Sequence, residues 1–243
     1  MSACPASFST ATQEAKVLAQ VFEAIGLESC PRHYNFHMHT HCSDGRLSPE
    51  ALIAQAVELG LKGIAVTDHH NIQGYLHICR WIEDWRWRYP KSWTTSNREY
   101  STPQELPQVW TGVEITAWLL ETDVHILGYA FAAEHPALQR YLQGSAPQAQ
   151  DKQAARVINA IHQAGGIAVL AHPARYRLAP EALIPAAAAL GIDGVETFYA
   201  YDNPTYWRPS PAQTAHVSAL ADRHQLLSTC GTDTHGLSLT RRL

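Results

Sequence analysis

The stretch YNFHMHTHCSDG, residues 34–45, sets His37, His39 and His41 at alternate positions and follows them with Asp44. In an extended strand alternate side chains share a face, so three imidazoles would point the same way. Neutral imidazole is poor core material, because each ring carries a donor and an acceptor that need partners. A metal, a phosphate or a solvated edge would each account for the row. More ligand-type residues fall at or near the ends of short apolar runs: Asp68, His69 and His70 in TDHH, Glu114 in GVEI, His172 in AHP, and Asp233 and His235 in GTDTH. His125 sits inside the run DVHILGY. Imidazole nitrogen and carboxylate oxygen suit zinc, iron and manganese. Two such metals about 3.5–4 Å apart can share a hydroxide and stabilise an in-line displacement at phosphorus. Taken alone, these residues support a multinuclear metallohydrolase.

The runs that carry them read as strands: residues 33–39, 63–68, 109–116, 123–131, 166–172, 191–199 and 226–233. Helical patterns lie between most of them. In SPEALIAQAVELG, Ser48 is placed to cap, Pro49 to open the first turn and Gly60 to stop the helix. Residues 151–166 repeat the design and end on a glycine pair. Alternating strands and helices imply parallel pairing with right-handed crossovers. Seven strands so connected suggest a closed or nearly closed α/β barrel, with an open doubly wound sheet as the other reading. Barrels of this kind carry their working residues at the C-terminal ends of strands, where most of the ligand-type residues fall.

A chain of 243 residues, 46% hydrophobic and 16% charged, describes a globular protein with a sizeable core. A net charge of −4 gives no general electrostatic reason to hold long nucleic acid, so no long-duplex partner is expected. Five scattered cysteines without a C-x-x-C pair argue against a disulfide framework or zinc ribbon. The N-terminus lacks the pattern of a secretory signal, and no apolar stretch is long enough to span a bilayer. These features predict a cytoplasmic protein without a membrane partner. Residues 12–27 predict a helix packed outside the barrel, so the chain divides into an N-terminal helical extension, 1–32, and a catalytic barrel, 33–243. Residues 77–107 hold four of the seven tryptophans. Stacking on nucleic acid is one reading of these. The favoured one is an amphipathic helix burying Trp81 and Trp85, followed by a polar loop.

The ordered set HMH…SDG, TDHH, GVEI, HILGY, AHP and GTDTH resembles the polymerase-and-histidinol-phosphatase (PHP) superfamily of phosphoesterases, from about His37 to Gly236. AVLAHPARY is most similar to the stand-alone members acting on nucleotides or short RNA. The resemblance implies a distorted seven-stranded (β/α)7 barrel holding three divalent metal ions (manganese, zinc or iron). It implies that His37, His39, Glu114 and Asp233 bind the first metal. Glu114 would bridge to a second, completed by His125 and His172, while Asp44, His69 and His235 would bind the third. The implied reaction is phosphate-ester hydrolysis by a metal-bridging hydroxide, on small nucleotides or short oligonucleotides. The chain departs from the pattern at Asn35, often an acid, and at His70, often Asp or Asn. The interval between HILGY and AHP, which usually carries a small capping domain, is short.

Other residues carry competing readings. Arg175 matches the family's arginine after His-Pro and is read as a phosphate clamp, with a surface ion pair as its rival. His70 is a candidate general acid or a structural ring. His41 reads as a loop residue, Asp68 as orienting a ring or capping a helix, and Glu196 as supporting the site without ligating. His33, His77, His135, His162, His216 and His224 lie outside the motifs and read as surface residues. The alternative function is an amidohydrolase-like C–N or lactone hydrolase on a related barrel, which shares the H-x-H, His, His, Asp order. A bridging Glu114 and the additional Asp44, His69, His235 set favour phosphorus chemistry. A non-catalytic binding barrel is the third reading, and retention of all nine ligand positions weighs against it.

Overall fold

A computed structural model describes residues 8–88 and 105–243. Every apolar run singled out above contains a strand. Their order is β1 (Tyr34–Asn35), β2 (Gly63–Ala65), β3 (Gln108–Trp110), β4 (Gly112–Leu119), β5 (Thr122–Tyr129), β6 (Ile167–Leu170), β7 (Gly194–Phe198) and β8 (Leu227–Cys230). The run 109–116 yields both β3 and β4, parted at Thr111, whose hydroxyl donates to Phe131 O at 3.0 Å. The helices are α1 (Phe8–Glu23), α2 (Pro49–Glu58), α3 (Gln73–Arg88), α4 (Pro136–Gln139), α5 (Ala154–Gln163), α6 (Pro180–Ala189) and α7 (Pro211–Arg223). At α2 the local code is met: Ser48 Oγ accepts from Ala51 N at 3.1 Å, and Gly60 takes φ +68° past the last turn.

The strands pair as two sheets. One is β1-β2-β3, all parallel; the other is β4-β5-β6-β7-β8. Within the second, β4 with β5 and β5 with β6 are antiparallel, which corrects the expectation of parallel pairing throughout. The cause is local. Leu120 and Glu121, at φ +48° and +60°, make a two-residue hairpin turn with both φ positive, which leaves no length for a crossover. Backbone hydrogen bonds cross both seams between the sheets. Asp233 N donates to His37 O at 2.8 Å and His39 N to Thr234 O at 3.0 Å on one side. His70 N donates to Glu114 O at 3.0 Å on the other. Asn35 stitches β1 to the segment after β8, with Nδ2 donating to Thr232 Oγ1 at 2.8 Å and Oδ1 accepting from Thr232 N at 3.0 Å.

Three apolar layers hold the strands. Residues from β1–β3 and β5–β8, among them Phe36, Ala65, Trp110, Leu127, Tyr129, Val169 and Cys230, form one cluster. Leu18 and Phe22 of α1 enter this cluster, Phe22 packing edge-on to Phe36 with ring centroids 5.0 Å apart. The helix therefore shares the strand core instead of lying on an outer face. Val113, Ile115, Ala117 and Leu119 of β4 pack with α5, α6 and α7, and Leu52, Ile53, Ile64 and Ile78 fill the layer beneath α2 and α3. Burying such side chains contributes about 1.5–3 kcal/mol each. The buried residues of α3 are Gly74, Tyr75, Ile78, Cys79 and Ile82. Trp81 and Trp85 are half-buried, which corrects the expected stripe. The polar loop expected next falls largely outside the described residues. Among the described residues no helix is long and apolar enough to cross a membrane.

Candidate metal centre

Glu114 is the hub. It sits on β4, buried to 1%, and its two oxygens face different histidines. Oε2 lies 3.1 Å from His37 Nε2 and 3.0 Å from His39 Nε2; Oε1 lies 2.6 Å from His125 Nδ1 and 3.4 Å from His172 Nε2. Asp233 Oδ1 closes the first group at 3.4 Å from His37 Nε2 and 3.3 Å from His39 Nε2. His37, His39, Glu114 and Asp233 thus bring four ligand atoms into one buried cluster. His125 reaches this place from within its strand because β5 runs antiparallel, opposite Thr116 in register. Gly231 permits the approach of the last segment: a Cβ there would stand 2.2 Å from that of His37.

A second group is more open. Asp44 Oδ2 lies 3.2 Å from His235 Nε2 and 3.6 Å from His69 Nε2, and Asp44 Oδ1 lies 3.5 Å from His39 Nδ1. Asp44 is 52% exposed and rides on the loop after β1. Asp68 pins that loop: its carboxylate accepts from Thr40 N, Thr40 Oγ1 and Ser43 Oγ, each at 2.7 Å. Asp68 therefore neither orients a ring nor caps a helix, and Asn71 does the capping, with Oδ1 accepting from Gln73 N at 3.0 Å.

The charges follow from this packing. Burial alone would lower the pKa of His37, but the carboxylates of Glu196, Glu114 and Asp233 hold it well above the ordinary value. For His39 burial is likewise outweighed, by Asp233 and Glu114, and its pKa rises to about 9. Glu114 and Asp233 are held well below the ordinary carboxylate range: burial raises both, and the surrounding histidines overcome it. His69 goes the other way, lowered chiefly by burial.

The donor set fits divalent cations. His39 Nδ1 and Nε2, Glu114 Oε1 and His125 Nδ1 are buried with no hydrogen-bond partner. Their neighbours lie close enough to interact but off the line that an N–H···O bond requires. A buried polar atom left unpaired costs about 1–3 kcal/mol, and four spread over these adjoining ligand groups are the kind of atoms that divalent cations satisfy. Three residues here, His70, His172 and Asp233, also take positive φ (54°, 27° and 51°), strain that collects at functional sites.

Other side chains hold the cluster, and Glu196 among them groups closely enough with His37 and His172 to be a ligand candidate itself. Glu196 spends both oxygens, Oε1 on His37 Nδ1 at 2.9 Å and Oε2 on His172 N at 2.9 Å, so it orients a ring and a backbone turn. Arg175 lies on the centre: its Nη1 donates to Asp233 Oδ2 at 2.9 Å and to Tyr199 Oη at 3.1 Å. The same Asp233 oxygen accepts from Tyr199 Oη at 2.6 Å and Arg242 Nε at 2.8 Å. Tyr199 and Arg242 escaped the sequence reading, because an aromatic after a strand and a terminal arginine carry no pattern of their own. Tyr176, whose hydroxyl accepts from His125 N at 2.7 Å, escaped it too. His70 places Nε2 3.1 Å from Thr116 Oγ1, and burial, then the charges of His69 and His125, lower its pKa to about 4. His41 is exposed on its loop. Of the histidines outside the motifs, His162 pairs with Asp193, His216 with Glu181 and His77 with Glu50, while His135 caps α4.

Fold and site together define a metal-dependent hydrolase on an α/β scaffold. The PHP domain matches residues 35–167, more than half of the chain, and the chain belongs to that family of metal-dependent phosphoesterases. It is 24% identical to the 5'-3' exoribonuclease Rnm of Escherichia coli over 83% of this chain and 85% of that protein. It is 29% identical to the 5'-3' exoribonuclease Rnm of Salmonella typhimurium, over 50% of this chain and 34% of the relative. The fold is similar to a protein of Bifidobacterium adolescentis described as a metal-dependent phosphoesterase (TM-score 0.63, 21% identity, 85% and 88% of the two chains). It is also similar to an amidohydrolase of Chromobacterium violaceum with bound sulfate (TM-score 0.65, 20% identity, 87% and 90%).

Proposed function

We propose that this chain hydrolyses phosphate esters of small nucleotides or short oligonucleotides at a centre for three divalent cations, manganese, zinc or iron. The observation that carries the reading is the division of Glu114, one oxygen toward His37 and His39 and the other toward His125 and His172. In this reading His37, His39, Glu114 and Asp233 hold one cation, Glu114, His125 and His172 a second, and Asp44, His69 and His235 a third. Bound cations supply Lewis acidity there, polarising phosphoryl oxygens and lowering the pKa of water toward neutrality.

The chain's own groups do the rest. Glu196 fixes the His37 ring so that Nε2 faces the cluster. Arg175, 38% exposed, keeps N–H groups beyond those of Nη1 committed to Asp233 and Tyr199 and turns them to a phosphoryl oxygen. His70 acts as a positioning ring hung on Thr116, because a pKa near 4 keeps the ring neutral, not the imidazolium a general acid needs, at neutral pH. The two sheets, joined across their seams by backbone hydrogen bonds, read as one distorted seven-stranded barrel over 33–243 with β3 and β4 as one broken strand. The helical extension of 1–32 is represented by α1, Phe8–Glu23, which plugs the core through Leu18 and Phe22. The four free cysteines among the described residues agree with a cytoplasmic setting.

Two exoribonuclease relatives support short RNA as the substrate class. The fold likeness to an amidohydrolase leaves lactone and C–N hydrolysis as the rival. The test is a screen of nucleoside monophosphates, bisphosphates, short RNAs, lactones and cyclic amides with manganese, zinc or iron supplied. Release of phosphate or nucleotide alone is the expected outcome; turnover of lactones or cyclic amides with every phosphate ester inert would overturn the reading.

A further inference from the structure

Beyond His235 the chain leaves the centre, runs to α2 and turns back. Gln55 of α2 takes the far end of this loop: Nε2 donates to Leu237 O at 3.0 Å, and Oε1 accepts from Leu239 N at 3.0 Å. Leu239 is fully buried in the layer beneath α2 and α3. The near end closes through the main chain. Arg242 O accepts from His235 N at 2.6 Å, and Arg241 O accepts from Thr234 Oγ1 at 2.8 Å. Residues 236–243 are therefore held at both ends without help from the Arg242 side chain, and they deliver that side chain to Asp233.

Asp233 divides its oxygens by task. Oδ1 faces His37 Nε2 and His39 Nε2, at 3.4 and 3.3 Å. Oδ2 accepts from Tyr199 Oη at 2.6 Å, Arg242 Nε at 2.8 Å and Arg175 Nη1 at 2.9 Å. Three donors use up the lone pairs of that oxygen, so Oδ1 alone is open to an ion. The two guanidiniums behind it are not alike. Arg175 is 38% exposed, whereas Arg242 is 17% exposed and hangs from the closed loop. Arg175 has room to follow a substrate; Arg242 does not.

Resting on the function proposed above, we infer that Arg242 is a positioning residue of the metal centre, which commits Asp233 Oδ2 and presents Oδ1 alone to the buried cation group. It touches no substrate and takes no part in bond cleavage. Charge and position pull in opposite directions here. A guanidinium near a cation site repels the ion, so if Arg242 acted through charge alone its removal would tighten metal binding. Acting through position, its removal weakens binding.

The test measures manganese bound at equilibrium over a range of free manganese, by dialysis and plasma mass spectrometry. The equivalent missing from Asp44→Asn identifies the open group. Arg242→Met keeps the side-chain stem and loses the charge and every donor. Its affinity at the buried group falls about 10–100-fold, the size of losing the partner of a metal ligand. Binding at the open group is kept, because the main-chain bond from His235 to Arg242 survives. Arg242→Lys, which returns one donor, recovers part of the loss. Unchanged or tighter binding at the buried group of Arg242→Met overturns the inference and leaves the proposed function standing. Equal loss from both groups marks Arg242 as structural and overturns it too. Should Arg242→Met fail to fold, Arg242→Lys decides: weaker binding confined to the buried group upholds the inference, and unaltered binding overturns it. If the unaltered protein takes up no manganese, the proposed centre falls and the inference with it.

Discussion

The two halves of the metal-ligand cluster are built by different means. His37, His39, Glu114 and Asp233 are almost wholly buried; Glu196 holds His37 from behind, and Arg175, Tyr199 and Arg242 hold Asp233. Asp44, His69 and His235 are partly open, and the loop that carries Asp44 is held by one buried aspartate, Asp68. The first half is part of the core, and its charges compensate one another out of water. In the reading proposed above, an ion held by the second half would exchange with solvent at little cost to the fold. Such a division suits a site with two resident cations and a third that comes and goes with substrate.

The largest expected effect comes from Glu114→Gln, which weakens both cations of the buried half at once. Turnover of a phosphate ester should fall on the order of 10³-fold, with metal content by plasma mass spectrometry falling in parallel. Glu196→Gln tests whether support from behind matters as much as ligation. It keeps every ligand but loosens His37, and metal affinity at the buried half should drop about 10–100-fold. Asp44→Asn should remove one metal equivalent, leave the other two bound and leave the melting temperature nearly unchanged. A simultaneous loss of all metal in Asp44→Asn would show that the halves are not independent.

The smallest effect is a pH signature that also separates the halves. In the metal-free protein His39 has its pKa raised from 6.5 to about 9, so the stability it contributes is full below pH 6.5 and lost as pH rises through 9. Glu114 and Asp233, with pKa values lowered, contribute stability above the ordinary carboxylate range that is lost on acidification. Cations must displace the protons that His37 and His39 hold at pH 7, whereas His69, its pKa lowered, is already neutral there. Calorimetry in buffers of different ionisation heat should therefore find proton release on filling the buried half and less on filling the open one. The release should shrink above pH 9.

Most of the proposed ligand positions stood out in the sequence because they fall at or near the ends of short apolar runs, and strand ends are where a barrel places its chemistry. His125 was proposed as a ligand through the family resemblance, and its place inside a strand made sense only once β5 was seen to run backwards. The reversal itself was hidden in Leu120 and Glu121, two residues that rarely adopt positive φ and give no turn signal. Asp68 was misread because a carboxylate before a helix looks like a cap, while its partners, Thr40 and Ser43, lie twenty-five or more residues away. Arg242 and Tyr199 were invisible for the same reason: their roles exist only through Asp233, reached across the fold.

The central claim is that Glu114 stands between two cations, one on each oxygen. Anomalous diffraction from manganese-loaded crystals tests it most directly. The account predicts one peak among His37, His39 and Asp233, a second among His125 and His172, each touching a different oxygen of Glu114, and a weaker third beside Asp44. Fully loaded crystals with a single peak, or with no peak in contact with Glu114, would contradict it.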